Sequence, residues 1–323
     1  MGTGRGLLAA ARRLAEMGER TYNPSVLLHN WFEDIALDQD VIKDFINRRE
    51  RGELLMQKLG SFKDDLLSKT ELAKSSDGYI HFGDPVLLIN PGTEQSHSST
   101  LHFPRAPMAL TMNVDQSRFM TSKQVDSPCE VCGSRVIIPC IRNTFVITSV
   151  DGSCNGDPLR YGQSFALKTM DGIAGQLYLT SDMKLFLKFA KKSRMQLVNL
   201  VDQFSFLSCW QVLYLDPQMR LEYDGYPVQA NVKVLVNHVR TNQALAVLQK
   251  HSFWTMFGRE HEITTHTFLD THRAEEDVNH WIMVTGDPSV PHGIMFHMPP
   301  PVCEDPEPKK KHSQESSDCF TQK

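Results

Sequence analysis

One pattern constrains the fold of this chain more than any other: an aromatic residue, a glycine, then an apolar run with the two-residue period of a strand, met repeatedly. It appears as "GYIHFGDPVLLIN" from Gly78 and as "PLRYGQSFALKT" from Pro158. A lengthened version, "LEYDGYPVQANVKVLVNH", starts at Leu221. A closing pattern accompanies it. "RNTFVITSV" from Arg142, "LSCWQVLYL" from Leu207 and "VNHWIMVTG" from Val278 each place a small polar residue, a spacer and an aromatic ahead of alternating apolar residues. β-branched and aromatic residues bounded by Gly, Pro, Asn and Asp are the composition of strands.

Between openings and closings lie further strand-like segments. "FALKTMDGIAGQLYLTSD" bends at Asp171 and Gly172, and "VKVLVNHVRTNQALAVL" bends at Thr241 and Asn242. "MQLVNLVDQF" and "EITTHTFLD" follow them. Four-strand units of this kind cannot bury an apolar face alone, whereas three together share a core. The expected fold is therefore mainly β, a β-trefoil-like barrel of three repeated units over residues 76–288, with a long insertion near 93–136. Phe145, Trp210 and Trp281 are expected to face its core. The same strands would also permit two sandwich-like layers.

Ahead of the strands, "VLLHNWFEDIALDQDVIKDFINRRERGELLMQKL" carries Val41, Ile42, Phe45, Ile46, Leu54, Leu55 and Leu59 near the helical period. An N-terminal arm over 21–75 is expected, holding one or two amphipathic helices from about Asp38 to Leu59, with Gly52 the weak point. Residues 1–20 imitate a transit peptide only weakly, because Glu16 and Glu19 interrupt the basic pattern, and read as a poorly ordered extension. Residues 289–323 are Pro-rich and then polar, with too little apolar surface to fold, and read as a disordered tail.

The formal net charge is −4, which supplies no basic field for phosphate backbones, so nucleic acid is not an expected partner. No apolar run approaches the about 20 residues a membrane-spanning helix needs, and no membrane association is expected. Seven cysteines scattered thinly through the chain, without an Asn-x-Ser/Thr sequon, favour a reducing cytoplasmic setting.

Candidate chemistry is sparse. Cys129 and Cys132 in "PCEVCG" form half of a zinc-binding pattern whose other half is missing, so no metal site is expected and the two thiols stand only as weak candidates. On a strand, His266, Asp270 and His272 would share a face with Phe268 between them, and His261 lies nearby. Hydrogen-bonded or surface histidines explain them better than a metal site. Neither a Gly-x-Ser-x-Gly elbow nor a phosphate-binding glycine loop occurs, so neither a catalytic residue nor a cofactor is expected.

The stretches "HNWFEDIALDQDVIKDFINRRERGELLMQ", "DGYIHFGDPVLLINP", "RNTFVITSV", "LRYGQSFAL", "CWQVLYLDPQMRLEYDGYPV" and "HTFLDTHR", in this order, resemble the cilia- and flagella-associated protein 161 family over roughly Tyr22 to Gly286. The β units are also similar to MIR-type repeats. The family resemblance implies a non-enzymatic microtubule inner protein of the axonemal doublet A-tubule in motile cilia and sperm flagella. Its expected partners are α/β-tubulin of the A-tubule lumen and neighbouring inner proteins, and its expected location is the cytoskeleton of the cilium or flagellum axoneme. Trp31 and Phe32 in the arm are the expected partner anchors, since aromatics dominate binding hot spots, or alternatively they staple the arm onto the chain's own β body. The alternative is a MIR-like ligand- or carbohydrate-binding module.

Overall fold

The structure is a computed structural model describing residues 27–92, 106–115, 124–184, 188–290 and 292–296. The expected extension over 1–20 and most of the expected tail over 289–323 lie outside the described residues.

Two helices come first. α1 (Leu27–Glu50) starts well before Asp38, and α2 (Leu55–Leu66) follows a break at Gly52, whose φ of 71° is the left-handed turn that a glycine adopts without steric cost. α2 is anchored: Phe62 and Leu66 enter the core, and the Leu66 carbonyl accepts from the Arg142 backbone N–H at 3.1 Å. α1 is not anchored. Its residues from Glu33 to Glu50 are exposed apart from half-buried Asp34 and Ile35.

Twelve strands follow: β1 (Pro85–Asn90), β2 (Met108–Asn113), β3 (Cys129–Ser134), β4 (Thr144–Ser149), β5 (Ser164–Thr169), β6 (Tyr178–Ser181), β7 (Gln196–Val201), β8 (Trp210–Tyr214), β9 (Lys233–His238), β10 (Gln243–Thr255), β11 (Gly258–Thr265) and β12 (His280–Val284). A one-turn helix, α3 (Arg220–Tyr223), sits between β8 and β9. The strands pair antiparallel in one sheet in the order β10-β11-β3-β2-β1-β12-β9-β8-β5-β6-β7, with β4 bridging β1 and β5.

This corrects the expected fold class. The β-trefoil-like, MIR-like barrel of three repeated units gives way to one continuous twelve-stranded sheet, because strands of different units hydrogen-bond to one another: β3 with β7 and β11, and β7 with β11. The units also differ in build. β10 runs thirteen residues with a bulge between Leu248 and Ser252, where β6 has four residues. The long insertion expected near 93–136 in fact contains β2 and β3, which pair from Ala109–Ser134 to Asn113–Glu130. The bend at Asp171 and Gly172 is a longer loop between β5 and β6, not a two-residue hairpin.

The third opening is also shifted. Gly83 (φ 91°) and Gly162 (φ 78°) make the left-handed turn before β1 and β5, and before β9 that turn is made by Asn231 (φ 62°), not by Gly225. Asn tolerates this region because its short polar side chain bonds locally. Ile80, Leu159 and Val228, three residues before each turn, are all fully buried and close a backbone ring. Ile80 N–H donates to Val228, Val228 N–H to Leu159, and Leu159 N–H to Ile80, at 2.7–3.0 Å.

The main core lies within the sheet, and Phe145, Trp210 and Trp281 are all fully buried in it. Each indole N–H is satisfied: Trp210 donates to the Leu179 carbonyl at 2.8 Å and Trp281 to Leu245 at 2.9 Å. Truncating either costs about 3–5 kcal/mol. β1 is buried on both faces. Val86 and Leu88 enter the main core, while Leu87 and Ile89 pack on Leu72, Ile137 and Ile282 in a smaller one. That is why β1 reads as a continuous apolar run.

Candidate functional site

Cys129 and Cys132 both lie on β3, three positions apart, so strand alternation sends them to opposite faces. Cys129 joins the main core, whereas the Cys132 thiol donates to a Glu260 carboxylate oxygen at 3.0 Å. Burial pushes the Cys132 thiol well up, partly offset by the Arg142 charge. A protonated, enclosed thiol is a poor metal ligand.

Cys132 belongs to a buried polar knot. Arg142 Nη2 sits 2.6 and 2.8 Å from the two oxygens of Glu260, its Nε–H donates to the Met112 carbonyl at 2.7 Å, and its guanidinium lies 3.7 Å from the Phe257 ring centroid. The Thr255 hydroxyl donates to Glu260 Oε2 at 2.8 Å. Both charged side chains are almost wholly buried. The knot ties β2, the turn before β4, and the β10–β11 hairpin together, and its Thr255 also lines the cavity beside Trp254.

The histidines do not converge. His261 is buried in β11 and donates from Nδ1 to the Gln249 carbonyl at 2.9 Å. His266 packs edge-on to Phe268 with centroids 4.7 Å apart. Asp270 accepts from the backbone N–H groups of His272 and Ala274, which builds a turn. Among the described residues, no cluster of three or more His, Cys, Asp or Glu side chains is placed to hold a metal ion.

What the surface offers is aromatic and apolar. Tyr214 and Tyr223 stack at 4.0 Å, with buried Tyr161 edge-on to both and Tyr226 tilted against Tyr223. Burial pushes the Tyr161 hydroxyl up to about 12. Tyr226 and Leu221 stand out from this platform, Leu221 at 91% exposure. At the tip of the β10–β11 hairpin Trp254 is 82% exposed, on the rim of a cavity of about 520 Å³ whose wall includes Asn113, Asp126, Glu130 and Asn199. Glu130 is paired there with Lys191 at 2.6 Å. Large exposed aromatics are the residues from which binding hot spots are built.

The third surface is α1. Leu37, Val41, Ile42, Phe45 and Ile46 are between 38% and 57% exposed. Trp31 and Phe32 fall within α1, but their side chains lie outside the described residues. The helical period flags this stripe in the sequence, whereas Trp254 at the end of β10 and the tyrosine platform, gathered from β8, α3 and the loops beside them, carry no such signal.

Most of the chain is similar to known proteins. A family model described as the cilia- and flagella-associated protein 161-like domain matches residues 58–286. Cilia- and flagella-associated protein 161 of Danio rerio is 49% identical over 84% of this chain and 90% of its own length. Its Bos taurus namesake is 39% identical over 94% of both chains, and that of Mus musculus 41% over 90% of this chain and 96% of its own. Among solved structures, an SDF2-like protein from Arabidopsis thaliana aligns with a TM-score of 0.43 at 15% identity, over 63% of this chain and 93% of its own. A Caenorhabditis elegans protein of unknown function aligns with a TM-score of 0.45 at 14% identity, over 66% and 99%. Those two scores are too low to carry an argument. The sequence matches are not: the chain belongs to the cilia- and flagella-associated protein 161-like family.

Proposed function

We propose that this chain is a structural microtubule inner protein of the axonemal doublet, bound to the luminal wall of the A-tubule, where it braces the wall and supports beating of motile cilia and flagella. The observation that carries this reading is family membership at 39–49% identity over most of the chain. The build of the molecule supports it. A single antiparallel sheet with a large core is a stiff body, the enclosed polar knot locks its hairpins, and the exposed aromatics and the helical arm offer several separate contact points. A wall component gains its hold by adding many modest contacts along a repeating lattice.

The contacts would be made with α/β-tubulin and neighbouring inner proteins. Trp31 and Phe32 on the first half of α1 are the proposed anchors of the arm, with Trp254 and Tyr226 as anchors of the sheet domain. The direct experiment tags the chain in ciliated cells, extracts axonemes with high salt and locates the tag in doublets by cryo-electron microscopy. Retention with density on the inner face of the A-tubule supports the proposal. Loss with the soluble matrix overturns it.

A further inference from the structure

The apolar stripe of α1 has a charge arrangement that specifies its own partner. On a helix of 3.6 residues per turn, Val41, Ile42, Phe45 and Ile46 form one band. Asp38 and Arg49 lie in the middle of that same band, one at each end, because eleven residues is close to three full turns. Neither is ion-paired among the described residues, while other charges of the helix are: Arg48 with Asp44 at 2.8 Å and Lys43 with Asp40 at 3.5 Å. An acid and a base of opposite sign therefore bracket an exposed apolar patch. Both are left open for a partner.

We propose that α1 pairs antiparallel with α1 of a second copy of this chain, about a two-fold axis between Lys43 and Asp44. In this register Asp38 of each copy meets Arg49 of the other, Val41 meets Ile46, and Ile42 meets Phe45. Every contact occurs twice, as an isologous interface demands. The parallel alternative sets Asp38 against Asp38 and Arg49 against Arg49, so like charges at both ends of the patch select the antiparallel arrangement. The stripe is exposed, and an occupant that complements it supplies apolar surface flanked by a base and an acid in reversed order. A second α1 does so. This inference stands independently of the axonemal reading.

The test is the oligomeric state of the full chain by analytical ultracentrifugation across a concentration series. The expected result is a monomer–dimer equilibrium. Asp38→Arg and Arg49→Asp each raise the dissociation constant at least about tenfold, equivalent to about 1.4 kcal/mol, and the double variant Asp38→Arg/Arg49→Asp restores it. Both positions are exposed, and an unchanged unfolding transition of the sheet domain shows that the variants remain folded. A monomer at every concentration overturns the proposal, whether residues 1–26 or another protein cover the stripe. So does a dimer indifferent to the swaps, or one that the double variant fails to rescue.

Discussion

Arg142→Met tests the role assigned to the buried polar knot. The guanidinium loses both contacts to Glu260 at 2.6 and 2.8 Å, its bond to the Met112 carbonyl and its stacking on Phe257. Methionine restores much of the volume, so the cost is chiefly that of an uncompensated carboxylate deep in the protein, about 3–5 kcal/mol. For a domain with a stability of about 5–15 kcal/mol that is a large fraction of the total. With a urea m-value of about 3 kcal/mol/M, the unfolding midpoint falls by about 1–2 M. The double variant Arg142→Met/Glu260→Gln removes both charges and recovers most of the loss. Urea unfolding followed by tryptophan fluorescence reads all three. A single variant within about 1 kcal/mol of wild type, or a double variant no better than the single, would refute the reasoning.

Burial lowers the pKa of His238, His261 and His280, and each ring also bonds a backbone carbonyl. The unfolded chain therefore binds more protons below the ordinary histidine value of about 6.5, and stability is full above it and declines as the pH falls below it. His238→Gln should flatten that slope in urea titrations between neutral and mildly acidic pH. Gly175→Ala places a Cβ 2.5 Å from the Val125 carbonyl oxygen at a φ of 79°, so a loss of about 1–3 kcal/mol is expected; Gly52→Ala, with open space around it, costs less and controls for backbone strain alone. Trp254→Ala leaves the melting temperature unchanged, because the ring is exposed, yet lowers retention on salt-washed axonemes.

How much of this was legible depends on how local each cause is. The strand openings at Phe82–Gly83 and Tyr161–Gly162, and the closing aromatics Phe145, Trp210 and Trp281, show in the sequence because strand alternation and left-handed turns act over a few residues. The third opening was misplaced because Asn231 makes the turn that glycine makes elsewhere, while the more conspicuous Tyr223 and Gly225 belong to a surface platform. β2 and β3 were hidden inside a supposed insertion, since "CEVCGS" lacks β-branched residues apart from Val131. The joining of all the strands into one sheet rests on β3, β7 and β11 pairings between distant segments, which no local pattern reports. Arg142 and Glu260 are 118 residues apart, and nothing in either stretch announces the other.

Cryo-electron microscopy of doublets from motile cilia carrying the tagged chain, at side-chain resolution, tests the central claim most directly. The account predicts the twelve-stranded body seated on the luminal face of the A-tubule, with aromatic side chains such as Trp254 and Tyr226 against tubulin or a neighbouring protein. An A-tubule lumen without the chain, in axonemes where the tagged protein is otherwise functional, would contradict it.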